Sequence, residues 1–553
     1  MKSPTVNNCA SHSLSPAGEY FPLPGTEEYA GELRRLTALV DEQRAHGREI
    51  VVVMGVGFVG AVMAGVIADS IDKTTGQPNK FVIGMQRPSV RSYWKIPYLN
   101  RGEAPVEAED PEVAPLIARC VLDKKTLTAT FTYDALTLAD VVVVDVQCDY
   151  HKKALGNVKQ GKAEISALEE SLRVIGERIR PDCLVLIETT VPPGTTEYVA
   201  YPIIRKAFEE RGFADEEPLL AHSFERVMPG REYVASIRDF WRVCSGVNER
   251  ARERVTAFLS AVINVEKFPL TVLDRPLESE TCKIVENSYR ATILAYLHEW
   301  SVFAEQNGVD LIKIINAIKV RPTHSNMIFP GPGIGGYCLP KDGGLGLWAY
   351  NTLMGFDEDI FKITPLAINI NDTRAIHATR LIRDALRNMG KIVAASRIAV
   401  LGASYREDVG DTRYSGSEMM VRKLAEMGGE VVVTDPYVKH WWEFEKQDSY
   451  PAPGHSWARF FRNQDKLKEL RIQGMEEVLK GADAVVLAVR HRAYLALTPD
   501  EIVAMTGRPV AVIDCFGMLD DAKIRRFFEL GCEVKGLGRG HVKRIKDQVR
   551  EGQ

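Results

Sequence analysis

The sequence predicts an α/β protein with two doubly wound parallel sheets joined by one long central helix. Three observations predict this fold. Short apolar runs with the length of buried strands alternate with helical segments in residues 48–276 and again in residues 393–545. Between them, residues 278–307 contain no proline or glycine and read as one helix, too long for a single small core to cover. The chain of 553 residues is long enough for two or three domains.

We therefore divide the chain into four segments. They are an N-terminal extension with a short helix (1–47), a first Rossmann-like domain (48–276), a central segment with the long helix and a cysteine loop (277–392), and a second Rossmann-like domain (393–545). Residues 1–25 are rich in Ser, Pro, Gly and Asn, so we expect them to be loose. Apolar residues at helical spacing follow, from Thr26 to Gly47.

Composition excludes several classes of function. A net charge of −4 gives no general attraction to nucleic acid or to acidic membranes. Nine cysteines without a CxxC pair argue against a disulfide framework or a structural zinc site and for a reducing compartment. No apolar run reaches the roughly 18 residues that span a bilayer, and the N-terminus lacks the apolar core of a signal peptide. We therefore expect a cytoplasmic protein that binds no nucleic acid, no membrane and no metal.

A glycine-rich turn follows the first predicted strand, Ile50–Met54. It reads GVGFVG and consists of Gly55, Val56, Gly57, Phe58, Val59 and Gly60. Between a strand and a helix, such glycines allow a tight turn, close approach of the backbone to a diphosphate and close helix packing. The turn predicts an NAD site, and a glycine turn without a ligand is the alternative. After the next strand, Gln86 and Arg87 replace the usual acidic residue, which leaves open a weaker grip on NAD or room for a 2′-phosphate.

The other elements of the first sheet are predicted from similar apolar runs. They are the strands Phe81–Met85, Leu127–Tyr133, Val141–Cys148, Cys183–Ile187 and Leu219–Ala221 and a helix over Gln160–Arg180. Two polar loops, residues 188–196 and 222–230, follow the last two of these strands. Ligands bind beyond the carboxyl ends of the strands in such sheets, so we expect both loops to face a ligand.

The stretch GPGIGGYCLPKD, residues 331–342, presents one thiol in a cramped run of glycine and proline. Glycines allow positive φ and let a ligand approach the backbone closely. Cys338 is followed three and four positions later by Lys341 and Asp342, and this placement suits a nucleophile. The alternative is an ordinary buried thiol.

Lys283 and Asn287 lie four residues apart on the long helix and share one face. The alternative, a solvated face, suits this otherwise apolar helix poorly. We expect Lys283 and Lys341 to lower the pKa of the Cys338 thiol and to make it the most readily alkylated cysteine of the chain. The helix cannot bury all of its faces within one small domain, so we also expect a homodimer.

The second α/β segment repeats the alternation of strands and helices. Its predicted elements are the strands Arg397–Leu401, Glu430–Thr434, Asp483–Val489 and Pro509–Asp514 and the helix Ser415–Met427. A polar loop after its first strand carries Arg406 and Arg413. Arginines in such a loop suit a diphosphate, and plain surface charge is the alternative. Residues 440–475, with three tryptophans, are predicted to be an insertion, and no function is legible in them.

Together these motifs resemble those of the nucleotide-sugar 6-dehydrogenases, the family typified by UDP-glucose dehydrogenase and the UDP-N-acetylhexosamine dehydrogenases. The resemblance extends from residue 50 to about residue 541. Its motifs, beside GVGFVG and GPGIGGYCLPKD, are TVPPGTT (190–196), FERVMPG (224–230), KIVENSYR (283–290), SYREDVGDTRYS (404–415) and GLGRG (536–540).

The resemblance implies that two molecules of NAD in turn oxidise a sugar C6 alcohol to the carboxylate through an adduct on Cys338. A thiohemiacetal can surrender a second hydride, and the thioester that follows needs a base and a positioned water. The implied catalytic roles are Asp342 as base, Thr190 and Glu225 as holders of the water, and Lys283 and Asn287 as stabilisers of the oxyanions. NAD is assigned to residues 55–60 with Gln86, Arg87, Thr190 and Arg413. The nucleotide-diphosphate sugar is assigned to Glu225, Arg226, Lys283, Asn287, Gly335, Tyr405 and Arg406, and to Arg321 from the partner subunit.

The chain departs from the family pattern at Gln86, which replaces an aspartate, and at residues 146–149, which replace a VPTP-like turn. Arg406 replaces a lysine, and Phe516 replaces an arginine. Two alternatives stay open. The first is a two-electron hydroxyacid dehydrogenase of the 6-phosphogluconate type. Such an enzyme needs no thiol, so the presence of Cys338 in its glycine-rich loop argues against this alternative. A non-catalytic sensor of sugar nucleotides or NAD is supported only by Gln86 and Phe516.

Overall fold

The computed structural model describes residues 12–227, 230–445, 456–462 and 464–552. The predicted α/β fold, with two doubly wound sheets and a long helix between them, is confirmed. None of the described helices is both long and apolar enough to cross a membrane. The four predicted segment boundaries stay predictions, and residues 228–229 of the predicted loop at 222–230 lie outside the described residues.

Part of the N-terminal extension is folded, so the prediction of a loose segment is wrong for the residues from His12 onward. Strands β1 (His12–Leu14) and β2 (Tyr20–Pro22) form an antiparallel hairpin. The Ser13 hydroxyl accepts the backbone N–H of Trp94 at 3.1 Å, and this serine is buried. The hairpin therefore rests on the segment that follows the second strand of the first sheet.

The first α/β unit is built from helices α1–α8 and strands β3–β12. The strands are β3 (Glu49–Met54), β4 (Lys80–Met85), β5 (Leu127–Thr130), β6 (Val141–Val144), β7 (Asp149–Ala154), β8 (Asn157–Glu164), β9 (Leu184–Ile187), β10 (Leu219–Phe224), β11 (Val243–Gly246) and β12 (Thr271–Val272). The helices are α1 (Thr26–Ala45), α2 (Phe58–Asp69), α3 (Lys95–Asn100), α4 (Val113–Ala118), α5 (Ser166–Gly176), α6 (Tyr201–Glu210), α7 (Tyr233–Arg238) and α8 (Glu249–Val262).

Eight of these strands form one sheet in the order β12-β11-β10-β9-β6-β3-β4-β5. All neighbours are parallel except β10 and β11. The central strands β3 and β6 read EIVVVM and VVVV and are almost fully buried, as expected where helices cover both faces of a parallel sheet. Because β3 and β6 are neighbours from different halves of the strand order, the cleft above their carboxyl ends is the switch point at which such sheets bind ligands.

The prediction of a helix over Gln160–Arg180 is wrong for its first residues, which belong to strand β8. Strands β7 and β8 form an antiparallel hairpin, and only α5 is helical. Buried and exposed residues alternate along β7 with the period of two that belongs to a strand. Lys152 of this hairpin forms a buried ion pair with Asp372, with Nζ 2.6 Å from the carboxylate. The hairpin is therefore joined to a helix of the central segment.

The central segment consists of four helices. They are α9 (Pro276–Asn307), α10 (Leu311–Lys319), α11 (Asp342–Trp348) and α12 (Ile363–Asn388). The long helix α9 is confirmed, and α12, which the sequence patterns do not predict, lies along it. Asn371 of α12 donates to the carbonyl of Ala291 at 2.8 Å, and Arg374 donates to that of Leu294 at 3.1 Å.

The second unit is a five-stranded sheet, fully parallel, in the order β14-β13-β15-β16-β17. Its elements are β13 (Arg397–Leu401), α13 (Gly416–Glu426), β14 (Glu430–Thr434), α14 (Met475–Leu479), β15 (Ala484–Leu487), α15 (Arg492–Leu495), α16 (Pro499–Thr506), β16 (Ala511–Asp514), α17 (Asp521–Glu529), β17 (Glu533–Gly536) and α18 (Val542–Gly552). All four strands predicted from the sequence of this unit are present.

The described part of the predicted insertion packs against α13. Trp441 and Trp457 are buried, and Glu418 of α13 accepts the backbone N–H of Trp457 at 3.0 Å. Glu418 also pairs with Arg422, with an N···O distance of 2.7 Å. Residues 446–455 and 463 of this predicted insertion lie outside the described residues.

Candidate active site

The glycine-rich stretch that carries Cys338 lies against the second α/β unit. Gly335 has a φ of +54°, and a Cβ there would lie 2.4 Å from the Cβ of Tyr405. Gly331 has a φ of +59°, and a Cβ there would lie 2.4 Å from the ring of Phe516. Positive φ and close contact both exclude a side chain at these positions. The stretch is therefore pressed against the loops that follow β13 and β16.

Asp342 joins this stretch to helix α9. The backbone N–H groups of Lys341 and Asp342 both donate to the carbonyl of Cys338, each at 3.0 Å, where α11 begins. The Asp342 carboxylate accepts Nδ2 of Asn287 at 2.6 Å and Nζ of Lys341 at 2.8 Å. The side chains of Asp342 and Lys341 are both buried, so water screens their interaction little.

Lys283 approaches the same place from α9. Its Nζ donates to the backbone carbonyl of Glu225 at 2.9 Å and lies 5.2 Å from the centre of the Phe224 ring. Burial acts to lower the pKa of Lys283, but Glu225, Cys338 and Asp342 outweigh it, and the pKa lies above its ordinary value. Five residues, Cys338, Lys283, Asn287, Lys341 and Asp342, thus form one group, called the cysteine cluster below.

The thiol of Cys338 has a raised pKa, so the prediction that Lys283 and Lys341 lower it is wrong. Burial raises the pKa to about 11, and Asp342 adds to the shift. The two lysines act in the opposite direction but do not reverse it. The reason is that desolvation disfavours the thiolate more than these lysines favour it, because both lysines also interact with nearby carboxylates. Rapid alkylation at neutral pH is therefore no longer expected.

Thr190 is buried in the loop that follows β9, and α9 anchors this loop. The Glu280 carboxylate accepts the backbone N–H of Gly194 at 2.5 Å and that of Thr196 at 2.8 Å. Burial raises the pKa of Glu280 to about 8. Glu280 is not among the residues predicted from the sequence, although it stands three positions before Lys283, a spacing that shares a helix face.

Glu225 and Arg226 follow β10 and point to different neighbours. The Glu225 carboxylate accepts the backbone N–H of Val227 at 2.5 Å. Arg226 pairs with Glu286 of α9 at 3.1 Å and donates to the carbonyl of Trp241 at 2.8 Å. Glu225 therefore lies next to the cysteine cluster through Lys283, whereas Arg226 is engaged at the outer side of α9.

The glycine loop after β3 has the geometry of a dinucleotide site. Gly55 has a φ of +101°, and a Cβ at Gly60 would lie 1.9 Å from the carbonyl oxygen of Gly55. A Cβ at Gly57 would meet no atom within 4 Å, so the backbone is open to a ligand at the N-terminus of α2. Gln86 accepts the backbone N–H of Val56 at 3.2 Å and so braces the loop. These residues fit NAD.

Phe58 and Val59 form the first turn of α2. The Phe58 ring stacks on that of Tyr233 with centroids 4.8 Å apart. Arg87, in contrast, lies at the rim, where its guanidinium is 3.6 Å from the Glu170 carboxylate and both side chains are exposed. An exposed pair at this distance contributes little, so Arg87 is available to a ligand.

Arg413 connects the two α/β units at this site. Its guanidinium donates to the Asp411 carboxylate at 2.9 and 2.6 Å. It also lies 5.5 Å from the centre of the Phe58 ring in the cofactor loop and 5.4 Å from that of Tyr337, which precedes Cys338. Arg413 therefore touches both the predicted cofactor site and the cysteine loop.

Two predicted arginines stand apart from the cysteine cluster. Arg406 is partly exposed, 3.8 Å from the carboxylate of Glu407. Arg321 is exposed where a short 3₁₀ turn begins. Within the described part of the chain, no hydrogen bond or ion pair joins the side chain of either arginine to the cluster.

Comparison with known proteins agrees with this geometry. Models of the UDP-glucose/GDP-mannose dehydrogenase family match the chain in three parts: the NAD binding domain at residues 49–262, the central domain at 277–372 and the UDP binding domain at 399–521. The UDP-N-acetyl-D-mannosamine dehydrogenase of Pyrococcus horikoshii is 26% identical over 494 residues, covering 89% of this chain and 100% of the relative.

Two solved structures are similar over most of their length. The NDP-N-acetyl-D-galactosaminuronic acid dehydrogenase of Methanosarcina mazei Go1 has a TM-score of 0.70 and 28% identity, covering 92% of this chain and 98% of that one. The UDP-D-ManNAc dehydrogenase of Pyrococcus horikoshii has a TM-score of 0.68 and 26% identity, covering 89% and 100%.

The fold and the site therefore define an NAD-dependent oxidoreductase that acts on a CH–OH group. More narrowly, the chain belongs to the UDP-glucose/GDP-mannose dehydrogenase family, the nucleotide-sugar dehydrogenases, as the resemblance implied.

Proposed function

We propose that the protein oxidises the C6 alcohol of a UDP-hexose or UDP-N-acetylhexosamine to the carboxylate in two successive steps at one site. The observation that carries this proposal is the cysteine cluster, in which the Cys338 loop, the Asp342 carboxylate and two residues of α9 meet. A thiol beside a carboxylate and an ammonium suits an oxidation that passes through a covalent adduct.

In the first step the C6 alcohol loses a hydride and its hydroxyl proton, which passes to water, while the chain stabilises the charge on the sugar oxygen. NAD, when bound, accepts one hydride in each of the two oxidations. Lys283 has a raised pKa and stays protonated at neutral pH, so its ammonium can donate a hydrogen bond to the oxygen of C6. Asn287 uses one amide N–H for Asp342 and has a second one to donate to the same oxygen.

In the second step Cys338 makes the aldehyde oxidisable again. Its sulfur forms a bond to the aldehyde carbon, and the thiol proton passes by way of Lys283 to the former carbonyl oxygen. The product is a thiohemiacetal, and loss of a hydride from its carbon with the hydroxyl proton gives a thioester. Because the thiol pKa is about 11, the proton has to leave the sulfur as the carbon–sulfur bond forms.

Hydrolysis completes the reaction. We assign Asp342 as the base that takes a proton from water while the water oxygen attacks the thioester carbon. The carbon–sulfur bond breaks and the sulfur regains its proton. Asn287 and Lys341 hold the Asp342 carboxylate in position, and Thr190 and Glu225 are assigned to hold the water. One alcohol and one water thus give one carboxylate, two hydrides and three protons.

The nucleotide diphosphate is assigned to the loop after β13. Arg413 and Arg406 supply positive charge there, and arginine suits phosphate because it donates several N–H bonds at once. Tyr405 lies against Gly335 and so sets the position of the cysteine loop relative to this charge. The similarity to a UDP-N-acetyl-D-mannosamine dehydrogenase and to an NDP-N-acetyl-D-galactosaminuronic acid dehydrogenase supports a UDP sugar as substrate.

A substrate screen with product counting tests this function. The purified protein is given NAD and UDP-glucose, UDP-N-acetylmannosamine, UDP-N-acetylgalactosamine, GDP-mannose or dTDP-glucose, and NADH and the acid are both measured. We expect about two NADH per acid, as the covalent route requires. About one NADH per sugar, without acid, would indicate a two-electron dehydrogenase. Binding without NADH from any sugar would indicate a sensor.

We further propose a homodimer formed through α9. Five large apolar side chains on this helix are between 44% and 59% exposed: Val285, Tyr289, Tyr296, Trp300 and Phe303. A second copy of the chain can cover such a stripe, because a twofold interface joins the same surface on both subunits. The dimer would also give the exposed Arg321 a substrate to reach in the partner subunit.

A mixing experiment tests the dimer and Arg321 together. Arg321→Ala and Cys338→Ala are each expected to lose acid formation. When the two variants are unfolded and refolded together, heterodimers carry one intact site, and we expect about a quarter of wild-type activity. Trp300→Glu should give monomers in light scattering, whereas Lys206→Glu, on the exposed surface of α6, should not. No recovery on mixing, or a fully active monomer, would contradict the proposal.

Gln86 is expected to relax the choice of cofactor. A neutral amide does not repel a 2′-phosphate as a carboxylate does, and Arg87 nearby is free to attract one. We still expect NAD to be preferred, with a raised KM and a modest ratio of kcat/KM for NAD over NADP. Gln86→Asp should increase this ratio at least about tenfold, the effect of one unfavourable charge contact. A higher kcat/KM with NADP than with NAD in the unaltered protein would be the contrary result.

We also propose a cytoplasmic location. All eight cysteines in the described residues are free, which supports a reducing compartment. Labelling of thiols in freshly lysed cells, compared with and without prior reduction, tests this location.

A further inference from the structure

Asp145 lies at the phosphate-binding end of the cofactor site, where the sequence patterns predict no acidic residue. It follows β6 directly, and its backbone N–H donates to the carbonyl of Met54 in β3 at 2.9 Å. Its carboxylate accepts the backbone N–H of Gly60, and its Oδ2 would lie 2.7 Å from a Cβ at Gly60. The carboxyl group therefore lies over the first turn of α2, where folds of this kind bind the diphosphate of a dinucleotide.

The charges of two other acids act on the carboxyl group of Asp145. They are Glu188, which follows β9, and Glu225, which follows β10, and the charge of Lys95 in α3 acts in the opposite direction. Burial, followed by Glu188 and Glu225, raises the pKa of Asp145 to about 8, although Gly60 and Lys95 act to lower it.

The cations of this region do not compensate the charge of Asp145. Arg242 pairs with Glu188, and Lys283 donates to the carbonyl of Glu225. Burial lowers the pKa of Lys95 itself to about 8, so Lys95 loses its proton and its charge in the same pH range in which Asp145 ionises. Above this range Asp145 would present a negative charge to a diphosphate without a charged Lys95 to offset it.

We propose that Asp145 binds the dinucleotide in its neutral form and that NAD binding is therefore coupled to the uptake of one proton. The neutral carboxyl group can donate its O–H to a phosphate oxygen, whereas the carboxylate can only repel it. No bond is made or broken apart from this protonation. The direction of the effect follows from linkage. A bound diphosphate favours the protonated form of Asp145, so the affinity for NAD is highest at low pH and falls as the pH rises through the pKa that Asp145 has in the protein without NAD.

The test measures NAD binding rather than turnover. The dissociation constant of NAD is determined by calorimetry from pH 6.5 to pH 9.5 for the unaltered protein, Asp145→Asn and, as a control carboxylate on the surface, Asp182→Asn. In the unaltered protein and the control, we expect the dissociation constant to rise by up to about tenfold per pH unit above pH 8. In Asp145→Asn, which cannot ionise, the rise should disappear.

Two further probes make the proposal falsifiable without the variant. At pH 9, calorimetry in two buffers of different ionisation enthalpy should reveal the uptake of up to one proton per NAD bound. ADP-ribose, which carries the diphosphate, should behave as NAD does, whereas AMP, which lacks it, should take up none. Binding of NAD to the unaltered protein without proton uptake at pH 9 would overturn the proposal, as would a pH dependence that Asp145→Asn retains in full.

Discussion

Replacing Cys338 by alanine is expected to abolish acid formation while leaving the binding of NAD and of the nucleotide sugar intact. Without the sulfur, the aldehyde has no route to the thiohemiacetal, and the second hydride cannot leave. The loss should amount to at least about a thousandfold in kcat, because a covalent path is removed. Acid is measured by chromatography with mass detection, and binding by calorimetry.

Stability measurements separate this loss from a packing defect. Removing one half-buried sulfur costs about 1–3 kcal/mol in the free energy of unfolding and should leave a folded protein. Cys338→Ser tests the covalent adduct directly. An oxygen ester hydrolyses more slowly than a thioester, so an adduct can accumulate on the chain. Near wild-type acid formation by Cys338→Ala would end the covalent mechanism.

Replacing Asp342 by asparagine is expected to stop the reaction one step later. The first oxidation uses neither the thiol nor the base and the second uses only the thiol, so each subunit should release about two NADH in a burst and then stall as an acyl-enzyme on Cys338. Stopped-flow absorbance measures the burst, and mass spectrometry of the intact chain measures the adduct. The amide keeps the shape of the carboxylate, which limits the disturbance of Lys341 and Asn287.

The matched control for this variant is Asp357→Asn, a change at an exposed carboxylate away from the cluster. It should turn over at the wild-type rate. Asp342→Ala is a poorer probe, because it leaves the buried Lys341 ammonium without its partner and costs about 3–5 kcal/mol of stability. Continuous turnover by Asp342→Asn at more than about a tenth of the wild-type rate would reject the assigned role.

Strong local patterns made most of the fold predictable. The predicted strands of both sheets and the uninterrupted helix α9 lie where the sequence patterns place them, within a few residues at each end, whereas strands β11, β12 and β17 were not predicted. The end of strand β8, Gln160–Glu164, was taken for the start of a helix because four of its five residues, in the run QGKAE, favour helices. In that hairpin, pairing across the strands and packing against the central helices override the local preference.

The sequence indicated which residues meet in the cysteine cluster but not the electrostatics of that cluster. Residue types and spacing were enough to single out Cys338, Lys283 and Asp342. The direction in which the thiol pKa shifts could not be predicted from the sequence. It depends on how distant segments bury the sulfur, and no sequence pattern indicates this burial. Asp145 was not predicted for a related reason. An acidic residue after a strand is common, and only the fold brings Asp145 next to the glycine loop and within the influence of Glu188 and Glu225.

The buried ion pair between Lys152 and Asp372 limits how the gene can be recombined. Its two partners lie 220 residues apart, one in the first α/β unit and one in α12. A chimera that takes its NAD-binding half from a relative would separate the pair, and burying either charge alone costs about 3–5 kcal/mol. Shuffled genes should therefore yield folded protein mainly when both positions come from the same parent or change together.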